Sequence, residues 1–363
     1  MSVHVLALAA SVLLVQTPWG GAMTARQVFD QMDTFGPGED LTVGQFAEQP
    51  GEYAWGESYL LASYVTMYEA TGDTRYLDKS VSRFRVLLSL RDDKKGKRDE
   101  LRGRIIAAWG TEGYSNHKRT CWNVHAGMLT APAAHFVRLV KERRRLQRRY
   151  GAIAKEFTTA LEETVASFAP DWRDGPNKDE GYYVEAALNG EHSPLNQQNA
   201  LGRTLIDLAV VTGKRDYRDK AVKLAAFFKR RLRLSANGAY DWSYWPKLEP
   251  PYENGSEDIS HAAINAEYAL RCYENHIVFT KEDMQRFAAT FLKSIYHGDG
   301  KFGDTVDGKG DGRFASQCGR WGCLASVNRE VARVIHDYFW RQDPPLAGTT
   351  TMLALAYLAQ HGY

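Results

Sequence analysis

Apolar positions recur at helical spacing along most of the chain, as pairs of helices broken by the same short signal. The segments "TGDTRYLDKSV" (71–81) and "TGKRDYRDKAV" (212–222) align without a gap at an offset of 141 residues. In each, Thr-Gly ends one helix, an Asp-bearing turn follows, and a Tyr anchors the next helix. Tyr150 falls midway between Tyr76 and Tyr217, and "FTKEDMQRFAATFL" carries a further copy with Thr280 as N-cap. The helices ahead of these turns also open alike, in "YAWGESYLLASY", "RTCWNVHAGMLT", "EHSPLNQQNALGR", "EDISHAAINAEY" and "CGRWGCLASVNRE". With Tyr59, Ala126, Ala200, Ala263 and Ser326 as markers, the steps are 67, 74, 63 and 63 residues. The pattern predicts helical hairpins with long polar approach loops. Period-2 patterning is scarce, and short strands are expected only near "GYYVEAAL" and "GAYDWSYW".

Repeated hairpins either stack into a solenoid or close into a ring. The repeats are few, they diverge in sequence, and irregular loops always precede the first helix of a pair, which favours the ring. The expected fold is an all-α (α/α) toroid or incomplete barrel of five to seven hairpins in one domain, 26–363, with minor strands in loops. Residues 24–33 and the final "TTTMLALAYLAQHG" complete a sixth hairpin. In such a ring the first helices line the inner wall, and their approach loops gather at one mouth, the usual place for a site.

Composition changes this picture little. The formal net charge of +2 demands no acidic partner. The basic run "KERRRLQRR" has apolar neighbours Phe136, Leu139, Val140 and Leu146 at helical spacing and reads as a solvated outer helix, not a nucleic-acid surface. At the start, the apolar run from Val5 to Val15 is too short to span a bilayer and has the form of a signal-peptide core, although no Lys or Arg precedes it. Residues 1–25 are thus expected to be a signal peptide, with export to the periplasm or exterior and no membrane span. Cys121, Cys272, Cys318 and Cys323 form no disulfide scaffold at this length; Cys318 and Cys323 are open to pairing or to burial as free thiols. No metal motif appears, and no cofactor is implied.

The chemistry lies in the approach loops. "EDISHAAINAEY" reads as a helix with Ser256 as N-cap, Glu257 and Asp258 in its first turn, and His261, Asn265, Tyr268 and Cys272 along one stripe. "EHSPLNQQNALGR" repeats the design, with Ser193 as N-cap, Pro194 at the first helical position, and His192, Asn196, Asn199 and Arg203 on a stripe. The other loops offer Trp55, Glu57 and Tyr59, then Trp122, Asn123 and His125, and lastly Arg320 and Trp321. "GAYDWSYWP" adds Trp242 and Tyr244. Aromatic faces beside amides and Arg suit a sugar, since rings stack on CH faces while polar groups read hydroxyls and carboxylates.

Hairpins carrying "Y-x-x-TGD-x-x-Y-L-D", an "ED-x-SH" helix start and a late "RWG-x-LA" resemble the α/α-toroid polysaccharide-active enzymes. The nearest are the uronate-cleaving polysaccharide lyases of the alginate and glucuronan type and the glucuronyl C5-epimerase catalytic domains. The resemblance spans about residues 50–340 and lacks the Asn-Asn-His-x-Tyr-Trp string of the best-known toroidal alginate lyases. It implies β-elimination on a uronate-containing acidic polysaccharide. That reaction needs neutralisation of the carboxylate, by Asn196, Asn265, Glu257 or Arg320, and a base and an acid, from His261, His192, Tyr182 or Tyr59. His261 as base or charge partner and Tyr182 as acid are the leading expectation. A glycoside hydrolase would need two carboxylates, available from Glu57, Glu257 and Asp258. A uronyl C5-epimerase would share the lyase groups, and a non-catalytic glycan-binding toroid would need no essential His or Tyr. The oligomeric state stays open.

Overall fold

The computed structural model describes residues 23–34 and 39–363; the expected signal peptide, 1–25, lies almost wholly outside them. Among the described residues twelve α-helices are formed: α1 (Ala25–Met32), α2 (Glu57–Thr71), α3 (Thr74–Ser89), the short α4 (Asp92–Lys95), α5 (Asn123–Glu142), α6 (Arg144–Ser167), α7 (Leu195–Thr212), α8 (Arg215–Arg230), α9 (Ile259–Glu274), α10 (Lys281–Ala289), α11 (Arg329–Trp340) and α12 (Thr349–Gln360). A 3-10 segment, Ala315–Ser326, takes the place of a further long helix.

These elements close into a ring. The inner wall runs α2, α5, α7, α9, the 3-10 segment and α12, each packed on the next, and α12 returns to α2. Helices α3, α6, α8 and α10 pack behind their partners, α11 behind the 3-10 segment, and α1 behind α12. The architecture is the expected (α/α) toroid, with six hairpins among the described residues, the sixth made from both ends of the chain. Backbone N–H of Ala25 donates to the carbonyl of Tyr363 at 3.1 Å and ties the two ends.

Local sequence explains the turns. Gly72 and Gly213 both end inner helices in the left-handed conformation at φ 72°, which other residues adopt only with strain, so the 141-residue offset marks the same structural position twice. Thr280 caps α10 within a capping box. The basic run ends α5 at Arg143 and opens the outer helix α6, with Leu146 buried and the charged residues around it exposed.

Inner helices are wrapped on all sides, and their composition follows. Helix α5 is buried at nearly every position from Asn123 to Val140. Small residues let the wall close: a Cβ on Gly127 would lie 2.2 Å from the backbone N of Leu201 in α7. Among the described residues strands are confined to three two-stranded pairs, β1 (Trp172–Asp174) with β2 (Gly181–Tyr183), β3 (Arg233–Leu234) with β4 (Tyr240–Asp241), and β5 (Tyr296–Gly298) with β6 (Lys301–Phe302). β2 and β4 fall where period-2 patterning is expected. All four cysteines are free and buried, so Cys318 and Cys323 are not paired. Among the described residues no helix is long and apolar enough to cross a membrane.

Candidate active site

The approach loops converge at the N-terminal ends of the inner helices. Ahead of α2 the chain forms a 3-10 turn, Pro50–Trp55. Gly51 allows it to sit close, since a Cβ there would stand 2.8 Å from His125 Nδ1 and 2.9 Å from the Trp109 carbonyl oxygen. Trp55 then meets His125 edge-on at 5.4 Å between ring centres and His261 at 6.2 Å. The Tyr244 ring lies 5.4 Å from His261, and Tyr114 lies 6.3 Å from His125 and 6.5 Å from Trp122. Three hairpins and the 238–246 loop therefore share one aromatic mouth.

His261 is held by the start of its own helix. Asp258, not Ser256, is the N-cap of α9, and its Oδ1 accepts from the backbone N–H groups of Ser260 and His261 at 3.0 and 3.1 Å. Its Oδ2 lies 2.5 Å from His261 Nδ1. A carboxylate fixes that nitrogen as the donor and leaves Nε2 as the basic atom, for which no described protein group supplies a hydrogen bond. Burial would raise the Asp258 pKa, but His261, Ser260 and the helix N–H groups outweigh it and hold the acid well below the usual range.

The adjacent Glu257 has the opposite environment. It is fully buried, accepts from Trp242 Nε1 and, at 2.6 Å, from Asn265 Nδ2, and leaves Oε1 without a partner. Burial, with the Asp258 charge beside it, pushes its carboxyl well above the usual range despite those bonds. Asn199 Nδ2 donates to Asn265 Oδ1 at 2.7 Å, so Asn199, Asn265, Glu257 and Trp242 form one buried chain beneath the mouth.

On the His125 side stands Glu52, which sequence reasoning missed. It accepts from Thr111 Oγ1 at 2.7 Å, and burial raises its pKa more than that bond lowers it. Tyr114 is close enough to feel the Glu52 charge. The available signal was position: Glu52 precedes Trp55 in the same loop that supplied Glu57. His125 is buried, and desolvation lowers its pKa to about 3, so it is a neutral hydrogen-bonding group. Trp122 Nε1, Asn123 Oδ1, His125 Nδ1, Asn196 Oδ1 and Gln197 Oε1 are buried polar atoms without protein partners on the approach-loop ends of α5 and α7. Buried polar atoms left over in this way suit the hydroxyls of a bound sugar.

Several expected site residues stand elsewhere. Glu57 faces the outer helix, where Arg83 Nε and Nη2 reach it at 2.5 and 2.7 Å in a buried pair. Trp242 and Trp321 are fully buried core: Trp242 packs on Phe228 and Phe287, and Trp321 stacks on Phe291 and donates to the Ile259 carbonyl at 3.0 Å. Tyr182 packs on Phe227 and His192 rather than on His261. His192 Nε2 lies 2.8 Å from the Pro246 carbonyl, and burial lowers its pKa. Tyr59 lies under the Arg320 guanidinium at 4.5 Å, and both line the axial cavity below with Arg203. Pro194 replaces Ser193 as the residue before α7, while Asn123 Nδ2 donates to Ser193 Oγ at 2.7 Å. Further along the expected stripe of α9, Tyr268 and Cys272 are fully buried, with the Tyr268 hydroxyl donating to Ala221 of α8.

The sequence matches no protein-family profile and no curated protein. Solved structures do match. The GH76A α-1,6-mannanase from Salegentibacter sp. HEL1_6 superposes with a TM-score of 0.52 at 12% identity, over 85% of this chain and 88% of that one. The chain shares the α/α-toroid fold of that mannanase. An inactive variant of the same enzyme, with two consecutive aspartates replaced by asparagine and α-1,6-mannotriose bound, matches at 0.51, again at 12% identity and over 85% and 88% of the two chains. A second inactive variant, with those aspartates replaced by alanine and α-1,6-mannotetrose bound, matches at 0.50 with the same identity and coverage. At 12% identity the likeness is one of fold.

Proposed function

We propose that the mouth is the active site of a glycan-cleaving enzyme that hydrolyses a glycosidic bond. What supports this most is a pair of acids with opposite environments around one aromatic mouth, Glu52 on the His125 side of Trp55 and Asp258 on the His261 side. Hydrolysis calls for an acid that keeps its proton and a base that has lost it. Glu52, raised by burial, would protonate the departing glycosidic oxygen. His261 Nε2 would take a proton from the attacking water, and the Asp258 carboxylate would stabilise the imidazolium that forms. Trp55 and Tyr114 would flank the sugar ring, and neutral His125 with the amides of Asn123, Asn196 and Gln197 would read its hydroxyls. The fold shared with oligosaccharide-bound mannanases supports a neutral hexose polymer as the first substrate to try.

A second reading, β-elimination on a uronate, is favoured by one observation. Tyr244 faces His261 at 5.4 Å, receives a hydrogen bond from Gln197 Nε2 at 3.3 Å, and is pushed by burial to a pKa of about 12, so it keeps its proton. Here His261 would remove the C5 proton and Tyr244 would protonate the leaving O4.

Incubation with an α-1,6-mannan and with alginate and glucuronan separates these outcomes. Hydrolysis releases reducing ends without new ultraviolet absorbance, and Glu52→Gln should lower that rate about 10²–10⁴-fold while Tyr244→Phe leaves most of it. An absorbance rise on a uronate polymer, lost in Tyr244→Phe and kept in Glu52→Gln, would replace hydrolysis by elimination. Saturable binding with neither product would make the chain a glycan-binding toroid.

A further inference from the structure

Below the mouth the ring encloses an axial pocket, whose free space, with the solvent at its rim, comes to about 550 Å³. Its walls run from the first turn of α2, at Ser58 and Tyr59, to later turns of α5, α7, α9 and α12, at His135, Arg203, Arg271 and Tyr357. Side-chain exposure rises along them, from 7% at Arg203 to 16% at Glu267, 18% at Arg271 and 20% at His135, so the pocket opens at the end of the ring away from the mouth. Two guanidiniums at its inner end are more than nine-tenths buried and incompletely satisfied. Arg320 rests on the Tyr59 ring, has only a 3.5 Å approach to Gln317 Oε1, and leaves Nη2 without a partner. Arg203 binds Glu267 and spends Nη2 on the Met128 sulfur, a weak acceptor, at 2.9 Å, while its Nε has no partner. A buried guanidinium N–H left unmet is costly, and nothing in the reaction at the mouth uses these groups.

The pocket's charge is also one-sided. Arg203, Arg271 and Arg320 face a single lining carboxylate, Glu267, which is already shared between Arg203 and Arg271. His135 at the rim adds positive charge. Burial and the nearby Arg271 lower its pKa, but Glu69 and Asp207 more than offset them and raise it to about 9. Asp207 itself is spent on Arg271 and Arg138, and Glu69 on His135.

We propose that this axial pocket is a second binding site, distinct from the mouth, that takes one oxyanionic group, a carboxylate or a sulfate, between Arg203 and Arg320. Planar forks match the paired oxygens of either group, and a low-dielectric wall strengthens the contact. The site does not depend on the reaction assigned to the mouth.

Calorimetric titration of the intact protein tests it, with sodium glucuronate and sodium sulfate set against glucose and sodium chloride at matched ionic strength. Saturable one-to-one binding of an oxyanion, and none of glucose or chloride, is expected. A preference for glucuronate identifies a sugar acid, and a preference for sulfate identifies a sulfo group. Arg320→Gln and Arg203→Met should each weaken binding at least tenfold, Arg320→Lys less so, and His261→Asn should leave it unchanged. Absence of saturable binding to the unaltered protein overturns the proposal. So does binding that survives in Arg320→Gln but is lost in His261→Asn, which would seat the anion in the mouth.

Discussion

His261 owes its place to a carboxylate three residues earlier, and the two can be separated by substitution. His261→Asn keeps a polar group of similar reach and removes the proton carrier, so turnover should fall about 10²–10⁴-fold with little change in Tm. Asp258→Asn retains an N-cap acceptor but not the anion that supports an imidazolium; steady-state kinetics should show a loss in kcat with the fold intact. His261, Asp258 and Trp55 were legible in the sequence because each is set by a helix start and its approach loop. Glu57 was misread because its fate is decided by Arg83, 26 residues on, which no local pattern announces. Trp242 and Trp321 look like sugar platforms in a loop-rich sequence, yet Phe228, Phe287 and Phe291 cover them through contacts between different hairpins.

Helix pairs were legible wherever a repeated signal marked them, and less so at the start of each inner helix. Helix α9 begins two residues later than its Ser suggested because 257–258 are held extended: Val306 N–H donates to the Glu257 carbonyl, and Asp258 bridges Thr305. That pairing crosses nearly fifty residues and outweighs a local capping preference. The wall between α5 and α7 shows what alanine and glycine do in these helices. With a Cβ on Gly127 falling 2.2 Å from Leu201 N and 2.4 Å from the Ala200 carbonyl carbon, no rotamer relieves the clash. Gly127→Ala should therefore destabilise the protein by about 1–3 kcal/mol or more, despite alanine's better helix propensity, as chemical denaturation would measure.

At the scale of the molecule, hairpin number and the ring itself followed from the repeat, whereas which faces line the axis did not, because inner helices are buried on every side and the stripe read on α9 runs from His261 at the mouth into the core at Tyr268 and Cys272. The axis holds an ionic cluster with a defined pH response. His135 lies 3.1 Å from Glu69 Oε2 and 3.7 Å from Asp207 Oδ2, with Arg271 Nη1 3.2 Å from its Nδ1. Its pKa rises from 6.5 to about 9 on folding, so its contribution is complete below the unfolded value and is lost as pH climbs towards and past about 9. Tm should decline across that window in the unaltered protein, and His135→Gln should remove that part of the decline. The bond between Ala25 and Tyr363 carries a different consequence. A barrel hooped in this way has no privileged first stave, so the order in which the ribosome delivers the hairpins is separable from the shape they make. Joining Tyr363 to Met23 by a short linker and opening the chain at the exposed turn near Glu253 should give a circular permutant with native circular dichroism and the same cooperative melt.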